Sequence, residues 1–138
     1  MATIEEIEKE RATRKAGLAE QRKVQAAIDL DALNEAEKDH GDGSVQRVEL
    51  HAMRFIPGLP TMVVVKMPEP AATKRYSDRL AANVPNATAA QEVGDLCVVY
   101  PDKETYAKMK SAVSTLHLRV SMAAIRISEG RAAEEGKD

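Results

Sequence analysis

The sequence predicts an α+β fold that is mostly α, and three observations carry that expectation. Residues 3 to about 39 run through interleaved acids and bases without a proline. Thr61 to Met67 forms a β-branched run behind a Pro57-Gly58 pair. From Pro70 onward, apolar residues recur at helical spacing between proline breaks. Together they give a long charged N-terminal helix over 1–40 and an α+β body over 41–130. The body divides into a β-hairpin at about 45–67 and a compact bundle of short helices over 70–130. The polar tail over 131–138 is expected to be disordered.

The long helix has a clear start. Thr3 and Glu6 stand at capping-box spacing, with Glu5 and Glu6 at the positive end of the helix dipole. Glu5 with Lys9 and Glu10 with Arg14 are acid-before-base pairs four residues apart. Gly17 is the weak point, costing about 1 kcal/mol relative to alanine, and it offers a place to divide the segment into two helices. An unbroken helix would span about 54 Å, against a radius of gyration of roughly 13 Å for a body of ~100 residues. It must therefore project beyond the body or break and fold back.

Ile4, Ile7, Leu18 and Leu33 share one face of this helix, but Arg11, Arg22 and Asp29 fall on the same face. Two readings stay open: a solvated helix lightly docked on the body, or a polar-laced seam that a partner helix completes. On the second reading the partner-contact candidates are Ile4, Ile7, Leu18, Ile28 and Leu33.

Asp39 to Ser44 reads as a plain turn, since no register through it gives the acids and glycine of a calcium loop. Val45 to Phe55 alternates loosely, with Val48, Leu50 and Ala52 on one side, and Pro57-Gly58 suits a type II turn before the second strand. Two strands alone are marginal in water, so helices must cover one face. An uncovered strand edge would admit a partner's strand.

Pro70 suits the first turn of a helix reaching about Ala82, with Ala72, Tyr76 and Leu80 stacked and Lys74, Arg75 and Arg79 on a solvated face. Thr88 and Gln91 offer a capping box for a helix carrying Val93, Leu96, Cys97 and Tyr100, which is expected to run through Val98-Val99 to a corner at Pro101. Asp102 caps the next helix, lined by Tyr106, Met109 and Val113. Ser114 is expected to cap the last helix, where Leu116, Val120, Ala123 and Ile127 form a stripe ending at Gly130.

Composition narrows the function classes. The 138 residues carry 20 basic and 22 acidic side chains, a formal net charge of -2, which gives no strong attraction to nucleic acid or an anionic membrane. No apolar run approaches the roughly 18 residues of a membrane span. The opening reads as helix and not as a signal peptide. A single cysteine excludes an internal disulfide and a cysteine-based zinc site, and a reducing cytoplasm is the expected location. His40, His51 and His117 fall in separate elements, and Cys97 has apolar neighbours. No nucleophile elbow or phosphate loop appears, so we expect no catalytic, cofactor or metal site.

Several stretches carry a family resemblance. They are the Ala-rich, Arg-repeating segment Glu8 to Gln25, the run Ala27-Ile28-Asp29-Leu30-Asp31-Ala32-Leu33, and Pro57-Gly58-Leu59-Pro60-Thr61-Met62-Val63-Val64-Val65. Lys74-Arg75-Tyr76-Ser77-Asp78-Arg79 and Val98-Val99-Tyr100-Pro101-Asp102 complete the set, together about half the chain. In these stretches the chain resembles small tail-morphogenesis proteins of tailed bacteriophages, the tail assembly chaperones among them. The resemblance implies a non-enzymatic protein that binds a long helical tape-measure protein and recruits tail-tube subunits around it. The long charged helix and the hairpin depart from the helical chaperones. A homo-oligomer through the N-terminal helix, a stoichiometric virion component, and a small-ligand binder or enzyme are the alternatives.

Overall fold

The computed structural model describes residues 1–128. It is mostly helical, with a small antiparallel sheet between helical layers. Helix α1 (Ile4–His40) is followed by strand β1 (Val45–Glu49), a short 3₁₀ helix (His51–Phe55) and strand β2 (Met62–Lys66). Helices α2 (Pro70–Ala81) and α3 (Asn86–Cys97), strand β3 (Val98–Tyr100), and helices α4 (Lys103–Ala112) and α5 (Leu116–Ser128) complete the order.

Helix α1 is unbroken over 37 residues, about 55 Å at 1.5 Å per residue. Gly17 does not divide it. Both halves of the capping box form: Glu6 N–H donates to Thr3 Oγ1 at 3.2 Å, and Thr3 N–H donates to Glu6 Oε2 at 3.3 Å. At the other end Gly41, at φ 92°, closes the helix by donating its N–H to the Glu37 carbonyl. The helix projects, as one of the two expected alternatives required. From Ile4 to Gly17 every residue is exposed, and contact with the body begins at Leu18.

The expected hairpin forms, with β1 paired antiparallel to β2, and the structure departs from its expected form in two ways. First, the sheet has three strands in the order β1-β2-β3, both pairings antiparallel. Val98, Val99 and Tyr100, expected as a helix end, form the third strand. The residue before a proline is pushed out of the α region, and two β-branched valines favour the extended form. Second, β1 stops at Glu49, and the segment expected to finish that strand coils into the 3₁₀ helix. Gly58, at φ 80°, still makes the left-handed turn expected after Pro57, at the far end of a longer connection.

Both faces of the sheet are covered, where the sequence required only one. Val63 and Val65 of the central strand pack with Val48 against α3, α4 and α5, in a core that includes Cys97, Tyr106, Leu116, Val120 and Ile127. Met62 and Val64 point the other way, to Ala36 and Leu33 of α1 and to Val45, Val99 and Tyr100. This explains the unbroken Met62-Val63-Val64-Val65 run: a strand buried on both sides has no polar alternate.

Among the helices, Asp102 caps α4 as expected, accepting from Thr105 N–H at 3.2 Å. Helix α3 begins at Asn86 with Pro85 in the capping position, not at the Thr88–Gln91 pair. Helix α5 begins at Leu116, which puts Thr115 and not Ser114 at its capping position. Leu96, expected on an apolar stripe, is 56% exposed. The expected basic face of α2 is partly neutralised, because Arg79 donates to the Glu92 carboxylate through Nε at 3.1 Å and Nη2 at 2.8 Å. The expected helix end at Gly130 and the expected disordered tail lie outside the described residues.

Candidate functional site in the cleft under α1

The face of α1 that meets the body includes Leu18, Arg22, Gln25, Asp29, Leu33 and Ala36, spaced at three and four residues. Asp29 is its anchor. The side chain is fully buried, and its carboxylate accepts four hydrogen bonds. Oδ2 takes the Thr61 N–H at 2.8 Å and the Thr61 hydroxyl at 2.6 Å. Oδ1 takes the Tyr100 hydroxyl at 2.6 Å and Gln25 Nε2 at 2.9 Å. With four donors on two oxygens, no strong acceptor site is left for a substrate proton. The group therefore ties α1 to the start of β2 and to β3, and it is not placed to act as a base. Burial, with the hydrogen bond and charge of Asp29, pushes the Tyr100 hydroxyl well above the usual tyrosine range.

Beyond Asp29, toward the N-terminus, a cleft of about 550 Å³ lies between α1 and the segment 53–61. Leu18, Gln21 and Gln25 form one wall, Ile56, Pro57 and Leu59 the other, and Met53 lies at the base. Met53 is only 2% exposed, and its sulfur accepts the Leu50 N–H at 3.4 Å. At the rim the Arg22 guanidinium lies over the Phe55 ring, 5.0 Å from its centroid, and His51 meets the same ring edge-on. Arg22 Nε is buried without a hydrogen-bond partner, so cation–π attraction to Phe55 is what holds this side chain. The charged side chains on the lining are Glu20, Arg22 and Arg54.

The partner-contact candidates separate into different settings. Ile4 and Ile7 are exposed on the projecting arm, and they continue the same helical face that the body covers further along. Leu18 is half-buried and lines the cleft. Ile28 is exposed on another side of the helix, near Val24. Leu33 packs against the sheet. The candidates thus do not form one surface, but Ile4, Ile7 and Leu18 share a line. Met53, Thr61, Tyr100 and Phe55 escaped the sequence reading, since their meeting with α1 spans 30 to 70 residues of chain.

Cys97 is fully buried, and burial pushes its thiol up to about 11. A thiolate-seeking reagent should label native protein very slowly at pH 8, and unfolded protein at once; rapid native labelling would contradict this burial. The linkage has a definite sign. A thiol held protonated in the folded chain adds no pH dependence below about pH 9, and the stability it contributes is lost as pH rises from there through about 11. That loss is on the order of 2 kcal/mol. Tyr100 and Tyr106 act in the same direction, Tyr106 through burial and the charge of Asp95. Urea midpoints should therefore fall between pH 9 and 11.

Among the described residues no group of three or more His, Cys, Asp or Glu side chains is placed to hold a metal ion. No described helix is long and apolar enough to cross a membrane. Compared with known proteins, the chain matches no family model, no curated protein and no solved structure.

Proposed function

We propose that this chain is a non-enzymatic assembly protein whose projecting arm and adjoining cleft bind another protein chain. One observation carries the reading: the docking face of α1 continues for several turns past the body, with Ile4 and Ile7 on it and Leu18 at its inner end. A capped helix held out in solvent orders its backbone without burying its apolar side chains, and a partner that extends the seat would cover them. The resemblance to tail-morphogenesis proteins supplies the kind of partner: a tape-measure or tail-tube protein of a tailed bacteriophage, bound in the cytoplasm of the bacterial host.

The test is a tagged capture from infected or lysogenic cells, comparing wild type with Ile7→Asp. The expected result is one long, heptad-rich phage protein bound by wild type and lost from Ile7→Asp. The thermal midpoint should move by less than about 1 °C, because Ile7 is exposed on the arm. Equal capture by both proteins would overturn the assignment to the arm. Capture of no phage protein would overturn the phage reading. Recovery in purified particles, at a fixed ratio to tail subunits, would replace the chaperone with a virion component.

A further inference from the structure

Strand β1 lies at the margin of the sheet, and its backbone polarity can be assigned residue by residue. Met67 donates its N–H to the Ser44 carbonyl at 2.9 Å, in the same register that sets Val45 opposite Lys66 and Val48 opposite Val63. Hydrogen-bonded pairs alternate along an antiparallel ladder. The Ser44 carbonyl and the backbone groups of Gln46 and Val48 therefore face β2, while Val45, Arg47 and Glu49 turn theirs outward. Among the described residues no other element bonds these outward groups. The side chains of Arg47 and Glu49 are exposed, on the face of the sheet that α1 covers further in at Val45.

We propose that this edge pairs with the same edge of a second copy of the chain. The charges select both the occupant and the register. An edge carrying charges of one sign resists pairing, but here opposite charges stand two residues apart. Antiparallel pairing that sets Arg47 opposite the second copy's Glu49 also sets Glu49 opposite the second copy's Arg47. Both are hydrogen-bonded positions, so each pair exchanges two backbone bonds as well as an ion pair. Sliding the register until Arg47 faces Arg47 brings like charges directly together, which is unfavourable. The product is a two-fold dimer with one continuous sheet, ordered β3-β2-β1-β1-β2-β3, with the two copies of α1 on the same face.

The measurement is sedimentation of the full chain over a concentration series from low micromolar to millimolar, with circular dichroism melts as a folding control. Wild type should pass from monomer to dimer. Arg47→Glu and Glu49→Arg should each weaken the dimer at least about tenfold, and the combined swap should restore it, since the pairs reform with signs exchanged. Arg47→Pro removes an outward N–H at an edge position that tolerates proline, and it should leave the chain monomeric. Wild type that stays monomeric throughout would overturn the proposal. So would a dimer indifferent to the single swaps, or single-swap losses that the combined swap does not repair.

Discussion

Replacing Asp29 with alanine should destabilise the fold by about 3–5 kcal/mol, the largest loss expected from any single polar substitution here. Three donors from outside α1 end on this carboxylate: the backbone and hydroxyl of Thr61 and the hydroxyl of Tyr100. Alanine leaves them without their acceptor in a site that is fully buried at its centre. Asparagine has nearly the same shape but turns one oxygen into a donor facing donors, so Asp29→Asn should still cost about 2–3 kcal/mol. Tyr100→Phe removes one charge-assisted bond, for about 1.5–2 kcal/mol. In a double-mutant cycle Asp29→Ala and Tyr100→Phe should sum to more than the combined variant loses, since both delete the same contact.

The loss should also have a location. Apart from Leu33 and Ala36, α1 offers little apolar area to the sheet, so without Asp29 it should lift off before the body unfolds. Limited proteolysis should then cut between Leu18 and His40 in Asp29→Ala under conditions that leave wild type intact. Stability within about 0.5 kcal/mol of wild type would show that this carboxylate is not the anchor.

Asp29 also shows where the sequence stops being legible. On the helical face shared by Ile4 and Leu33 it read as a polar flaw, because its partners lie 32 and 71 residues away and leave no trace in local spacing. What depended on local chemistry was readable: the Thr3–Glu6 box, the Asp102 cap, the left-handed Gly58 and the burial of Cys97. β3 was readable in principle. Val98-Val99-Tyr100 before Pro101 carries a pre-proline restriction and two β-branched residues, but a strand of three residues has too short a pattern to outweigh the helix leading into it. The continuous Met62–Val65 run likewise signals burial on both faces, yet only the packed α1 makes that signal interpretable. Of the cleft, the sequence showed Leu18 and the turn at Pro57, but not that they face each other.

Gly94 should tolerate no side chain. It lies inside α3, where glycine costs about 1 kcal/mol relative to alanine, so by propensity alone alanine would stabilise. The packing of α3 on α5 reverses the sign. A Cβ on Gly94 would stand 3.0 Å from the Ser121 Cα and Oγ and 3.1 Å from its backbone nitrogen. Two of these three atoms are backbone, which cannot swing aside as a side-chain tip does. Gly94→Ala should therefore lose about 1–2 kcal/mol net, and Gly94→Val more than about 3 kcal/mol as its branched carbons force the helices apart. The Ser121 hydroxyl donates to the His117 carbonyl of its own helix at 2.7 Å, which holds Oγ where it would meet the added carbon. Adding Ser121→Ala to Gly94→Ala should consequently recover only a part of the loss, measured as urea midpoints at pH 7. Full recovery would mean that the hydroxyl alone obstructs the site, and that the two backbones are free to separate at little cost.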